Sequence, residues 1–137
     1  MALHLLKLAV GVDSLDQLRR VRAARAAERG GEWVYTRNRP RRANEILAGG
    51  SIYWVIRGRI AARQRVIGFA ADRDAGGRRF CRIIVDRELV ATLPRPCRAF
   101  QGWRYLPQEA APPDQLAAAG TALPAQMLAE LRALGLL

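Results

Sequence analysis

Trp33, Tyr35, Arg37, Asn38 and Arg39 fall within one short stretch, EWVYTRNRP. Flat rings stack on bases, guanidinium groups bond phosphate or a base edge, and a side-chain amide reads a base edge. The combination suits a planar, anionic partner. A second stretch, FQGWRYL, brings Gln101, Trp103, Arg104 and Tyr105 together, and Tyr53 and Trp54 precede a comb of Arg57, Arg59, Arg63 and Arg65. In a nucleic-acid site, Trp33 and Trp103 would stack a base and Asn38, Gln101 or Arg104 would bond its edge. The arginine comb would hold phosphates, which position a partner without reading its sequence. Trp54, between Ile52 and Ile56, is expected in the core. For Trp33 and Trp103, flanked by charge and glycine, pocket and core are equally open.

Catalytic chemistry is hard to assemble. Ser14 and Ser51 are the only serines and His4 the only histidine, set in an apolar run where a satisfied core histidine is expected rather than a general base. The close carboxylate pairs, Asp72 with Asp74 and Asp86 with Glu88, read as turn or strand-end residues. AGGS and DAGGRR are bare turns without a phosphate-loop or dinucleotide spacing. Cys81 and Cys97 are too few and too far apart for a zinc pattern, so neither metal nor cofactor is expected.

The charge points the same way as the aromatics. A chain of 137 residues with 50% hydrophobic content can bury a core as one domain over residues 1–137 without staples. Its formal charge is +11, which favours polyanions. All but one of the 23 basic residues are arginine, Lys7 being the exception. Codon bias accounts for arginine over lysine but not for the surplus of positive charge. Most of that charge precedes residue 105, and beyond Arg104 only Arg132 remains, against Glu109, Asp114 and Glu130. One basic surface and one neutral end follow.

The start, MALHLLKLAVGVDS, is interrupted by Lys7 and reads as a strand rather than a signal peptide. No segment approaches the roughly 18 apolar residues of a membrane span. The expected setting is the cytoplasm, with both thiols reduced.

These residues need elements to hold them. A strand over 2–10 is followed by a helix capped at Asp13 or Ser14 and ended by Gly30-Gly31. Leu15, Leu18 and Val21 supply its apolar side, and Arg22, Arg25 and Arg29 are expected as a solvated neighbouring face. A strand over 32–37 and a short helix from Pro40 to Leu47 come next. Then Ile52, Trp54, Ile56, Ile60 and Val66 alternate with Tyr53, Val55 and the comb, the reversal lying either at Gly58 or at Ala61-Ala62. Gly76-Gly77 joins two strands, Pro94 and Pro96 interrupt pairing, and FQGWRYL is a last strand. Residues 107–121 loop over the surface, and Pro124 opens a helix with an apolar stripe of Met127, Leu128, Leu131 and Leu134. The fold class is α+β, a small, partly closed antiparallel β-barrel flanked by helices.

MALHLLKLAVGVDS, GGSIYWVIRG, RQRVIG and FQGWRYL together resemble a family of small alphaproteobacterial proteins classed only as a domain of unknown function. Residues 33–74 also resemble the EVE domain, a member of the PUA-like superfamily that includes the YTH and ASCH domains. Trp33, Arg37 and Asn38 keep the EVE spacing of a Trp, three residues, then Arg-Asn. Ala43 follows in the short helix, Gly50 stands at the turn, Tyr53 lies on the next strand and Ile67-Gly68 on the later one. Ala43 is two residues further from the Asn than in that pattern, and the turn reads Gly50-Ser51 without its Asp. The resemblance implies a PUA-like pseudo-barrel that cradles a base, often a modified one, at Trp33, Arg37 and Asn38.

The reading that follows is a non-catalytic nucleic-acid-binding domain, for RNA or a modified base rather than duplex DNA. Its site residues are Trp33, Arg37, Asn38, Tyr53, Arg57, Arg59, Arg63, Arg65, Gln101, Trp103 and Arg104. A protein-interaction module is the second reading, with a homodimer through residues 124–134, and a nucleotide-acting enzyme using Asp86 or Glu88 is the third.

Overall fold

The structure, a computed structural model, describes residues 2–115. Its elements are β1 (Leu3–Leu8), α1 (Leu15–Arg29), β2 (Trp33–Thr36), α2 (Ala43–Leu47), β3 (Ser51–Ile56), β4 (Arg59–Arg73), β5 (Arg79–Val85), β6 (Val90–Pro96) and β7 (Trp103–Pro107), with a single 3-10 turn at Gln108–Ala110. The strands form one mixed sheet in the order β2-β5-β4-β3-β1-β7, with β6 also paired to β4. The sheet curls into a half-barrel carrying the two helices, an α+β fold.

An all-antiparallel barrel does not form. β1 runs parallel to β3, with Leu5 opposite Ile52 and Leu8 opposite Val55. The chain travels from one to the other through α1, β2 and α2, a crossover long enough to return in the same direction. The other pairings are antiparallel.

Local chemistry sets the helix and turn positions. Ser14 caps α1, its hydroxyl accepting the Gln17 N–H at 3.1 Å, and Gly30 ends the helix at φ 70. Arg57 and Gly58 both take positive φ, 49 and 75, the signature of a two-residue type I′ hairpin joining β3 to β4. The reversal is therefore at Gly58. Ala61 instead lies at a register shift, since Trp54 faces Ala62 while Val55 faces Ile60. The two-residue turn sets Ile60 opposite Val55, on the face of Tyr53 and away from Trp54 and Ile56, where alternation predicts it, and the bulge then returns Ala62 and Val66 to the Trp54 face.

β3 is buried at all six positions because both of its faces are covered. On one face Leu3, Leu5, Ile52, Trp54 and Ile83 pack with Leu18 of α1 and Ile46 of α2. On the other, Leu6, Tyr53, Val55, Ile60 and Leu106 form a second cluster with Cys97 and Phe100 against it. Each such large apolar side chain contributes about 1.5–3 kcal/mol by leaving water. Trp54 is core as expected: it is 3% exposed, and its indole N–H donates to Gln64 Oε1 at 2.9 Å.

One further expectation is met and another corrected. Pro94 and Pro96 lie inside β6, which pairs with β4 from Arg59↔Pro96 to Arg63↔Val90, and regular pairing is interrupted at Pro94, where the register jumps from Arg95 to Ala91. A strand bonded along one margin loses no ladder bond to a missing N–H on the other. Arg22 is not part of a solvated face: it is 4% exposed, paired to Glu32, and donates to the Trp33 carbonyl at 2.9 Å. The apolar stripe of 127–134 and the dimer surface at 124–134 lie outside the described residues.

Candidate functional site

Alternation along β2 sends Val34 and Thr36 inward and leaves Trp33 and Tyr35 on the outer face. Across the ladder Trp33 faces Ile84 and Tyr35 faces Arg82, so the outer face of β5 presents Phe80, Arg82 and Ile84 beside them. Phe80 stacks with Tyr35 at 5.0 Å and 27° and with Trp33 at 5.9 Å and 29°. Three rings thus form one row, its Tyr35 end exposed at 44%. Arg29 and Arg82 place guanidinium carbons 4.0 and 4.6 Å from the Trp33 ring centroid. Asp72 on β4 pairs with Arg82 and fixes that guanidinium on the face. The neighbouring β4–β5 hairpin adds the exposed Arg73, Arg78 and Arg79, and Arg37, Asn38 and Arg39 follow β2 as an exposed bend. The surface joins stacking rings to positive charge.

A cleft of about 250 Å³ lies on the other side of β2, between α1 and the end of β1. Lys7, Arg22, Arg25 and Arg29 line it, with Tyr35 and Trp54, and no carboxylate does. Burial lowers the Lys7 ammonium from its ordinary pKa. The Arg22 Nε is buried without a hydrogen-bond partner.

The third feature is a polar cavity of about 420 Å³ around His4, Ser51, Tyr53, Arg63 and Gln108. Here the parallel β1–β3 pair brings His4 to Ser51, through the serine backbone: the Ser51 N–H donates to His4 Nδ1 at 2.9 Å. Nδ1 being an acceptor, Nε2 carries the proton and donates to Gln108 Oε1 at 2.6 Å. Burial is the main reason that the His4 pKa is lowered, opposed by the Gln108 bond. The Ser51 hydroxyl accepts from Arg63 at 3.2 Å, and Arg63 also donates both arms of its fork to Asp114 at 2.7 Å. Both ring nitrogens of His4 are thus committed, and the hydroxyl is turned to an arginine. This is a satisfied structural histidine, not a base beside a nucleophile.

The sequence-derived site residues are distributed over several places. Trp33 is in the ring row, with Arg37 and Asn38 beyond it in the bend. Tyr53 is 5% exposed, edge-on to His4 at 4.9 Å in the polar cavity, which Arg63 and Arg65 also line. The bulge splits the comb: Arg63 and Arg65 share the Tyr53 side, whereas Arg59 faces Ile56 and Arg57 sits in the turn paired with Asp13 at 3.2 Å. Trp103 is half-buried against the first core, edge-on to Tyr105 at 4.9 Å and opposite Lys7. Arg104 lies on the opposite side of β7 over Phe100 at 5.2 Å, and Gln101 is exposed in the preceding bend.

Phe80, Arg82, Arg29, Lys7 and Arg25 were not among the site residues read from sequence. The first two had a signal, their shared parity on β5 opposite to that of Cys81 and Ile83, although Phe80 is itself buried. Lys7 had another, as the one lysine and the one charge in an apolar strand. Arg29 needed the β2 partner of α1 to be known.

Among the described residues no group of three or more His, Cys, Asp and Glu side chains is placed to hold a metal, and no helix is long and apolar enough to cross a membrane. Cys81 and Cys97 are free thiols. The fold and site define a mixed-sheet half-barrel with a basic, aromatic surface. The chain belongs to the DUF1489 family, described as a protein of unknown function, whose model matches residues 5–137. No curated protein and no solved structure matches the chain.

Proposed function

We propose that this protein is a non-catalytic nucleic-acid-binding domain of PUA-like architecture that takes single-stranded or loop RNA, including modified bases, in preference to duplex DNA. The observation that carries the reading is the row Trp33–Phe80–Tyr35 with Arg29 and Arg82 against it. Tyr35, the exposed ring of the row and backed by the buried Phe80, offers a face to an unpaired base, a contact worth about 1–3 kcal/mol when the ring is removed. Arg37, Asn38 and Arg39 supply donors for phosphate and base edges at the rim. The curled sheet and flanking helices are in keeping with a PUA-like frame. Duplex reading has less support, because α1 packs its Leu18 and Arg22 side into the domain rather than presenting a free recognition helix.

The test is fluorescence anisotropy with a labelled oligouridylate and a duplex of equal length, using the native protein and the Tyr35→Ala and Trp33→Ala variants. Tyr35→Ala is expected to weaken single-strand binding about tenfold, in line with the loss of one stacking partner. Unchanged binding by both variants would remove the ring face from the site.

A further inference from the structure

We propose that the cleft between α1, β1 and β2 is a binding site for a phosphate monoester, presented either by a mononucleotide or by the phosphorylated end of a single strand. The strand-end case rests on the ring-face reading above; the mononucleotide case does not.

Four basic side chains converge there without a carboxylate among the lining residues. Of the five ion pairs among the described residues, none involves Lys7, Arg25 or Arg29. Glu32 neutralises only Arg22, and Glu28 is the other carboxylate near Arg29. Arg29 is held by the ring and carbonyl of Trp33, and Lys7 and Arg25 by no ion pair, so the cleft keeps positive charge without a carboxylate partner of its own. Arg22 adds an independent sign: 4% exposed, it commits Nη2 to Glu32 and the Trp33 carbonyl, while its Nε–H has no partner. Buried N–H groups are ordinarily satisfied, and Arg22 lines both this cleft and a pocket on its Glu32 side, so an acceptor in either would complete the set.

The charge count selects the ligand. A phosphate monoester carries about −1.5 to −2 at neutral pH with three strong acceptor oxygens, whereas a carboxylate or an internal phosphodiester carries one negative charge. Lys7, Arg25 and Arg29 match the former, and guanidinium forks suit phosphate geometry. A bound dianion would also offset the desolvation that lowers the Lys7 pKa. Arg29 and Tyr35 belong both to the cleft and to the ring face, so a base resting on Tyr35 has this cleft beside it for its terminal phosphate.

The experiment is calorimetric titration with AMP and with adenosine, beside anisotropy with 5′-phosphorylated, 3′-phosphorylated and hydroxyl-ended oligouridylate of one length. Proteins are the native chain, Lys7→Met, Arg25→Gln and, as an exposed basic residue outside both the cleft and the ring face, Arg98→Gln. Lys7→Met keeps the length and packing of the side chain, and Arg25 is exposed, so both variants should fold. The expected result is AMP binding at least about tenfold tighter than adenosine, or an equal preference for one phosphorylated end over the hydroxyl end. That preference is lost in Lys7→Met and Arg25→Gln and kept in Arg98→Gln. Preference for AMP alone assigns the cleft to mononucleotides, and preference for a phosphorylated end alone assigns it to strand ends. If no strand binds but AMP does, the ring-face reading fails and the cleft stands. If phosphate adds nothing with either probe, or if Arg98→Gln weakens binding as much as Lys7→Met, the cleft proposal is overturned.

Discussion

The Arg29 guanidinium lies 4.0 Å from the centre of the Trp33 ring and, with a second arm of the same side chain, donates to the Trp33 carbonyl at 3.1 Å. The last turn of α1 is thereby tied to both the side chain and the backbone of β2. A lysine there cannot do both, since its single ammonium has no planar face to lay on the indole.

Arg29→Ala is accordingly expected to cost the exposed cation–π contact, about 0.5–1 kcal/mol of stability, in urea unfolding. Its larger effect should be on binding of single-stranded RNA. Removing one phosphate-facing charge lowers the slope of log K against log salt by about 0.7. An unaltered slope would separate Arg29 from the nucleic-acid contact.

The buried Arg22–Glu32 pair makes a sharper stability prediction. Both side chains are almost fully enclosed, so Glu32→Gln strands a charged guanidinium and should cost about 3–5 kcal/mol. The double replacement Arg22→Met with Glu32→Leu removes both charges and should recover most of that loss. Guanidinium unfolding of the two variants checks the order; equal loss in both would mean that packing rather than charge dominates.

His4 gives a pH dependence. Its pKa is lowered in the folded protein from the ordinary value of 6.5, chiefly by burial. Between the folded and unfolded values the unfolded chain binds more protons, so stability is full above 6.5 and falls as the pH drops toward the folded pKa. Protonation of Nδ1 would also set an N–H against the Ser51 N–H that now donates to it. Melting followed from pH 7.5 down to about 5 should show the loss, reduced in His4→Gln; identical pH profiles would exclude His4 as the source.

Gly50 is held by space. A Cβ there would overlap the Leu3 carbonyl oxygen and stand 2.7 Å from the Ile46 carbonyl oxygen, both backbone atoms that cannot swing away. Gly50→Ala should cost at least about 1–3 kcal/mol in unfolding. Gly31→Ala, with open space around it, is the control.

Elements whose signals are local were legible in the residues themselves. Ser14 and Gly30 bracket α1, Gly76-Gly77 makes a hairpin around Asp74, and Trp54 goes to the core between two isoleucines. What failed depended on pairing. The bulge near Ala61 exists only in the pairing with β3 and β6, and it sets Ala62 and Val66 on the face opposite Ile60 and divides the arginine comb. The parallel placement of β1 follows from which strand the chain returns to, and no single segment encodes that. Arg22 looked like surface because Arg25 and Arg29 repeat it at helical spacing, yet only Arg22 meets Glu32. The aromatic stretch was visible from the start, but its partners Phe80 and Arg82 came from a strand far along the chain.

Pro94 and Pro96 in β6 have a further consequence, for behaviour at high concentration. A sheet margin lined with free N–H and C=O groups invites a strand from another molecule, and a half-barrel has such margins by construction. Proline has no N–H to offer, and here Thr92 and Leu93 are already engaged by Asp114 and Pro113 of the same chain. At the far margin, Arg22 and Arg29 occupy the Trp33 carbonyl of β2. Prolines on β6 and arginine donors on β2 thus blunt two of the three margins against self-templating, while β7, bonded to β1 alone among the described strands, is the margin left for another strand.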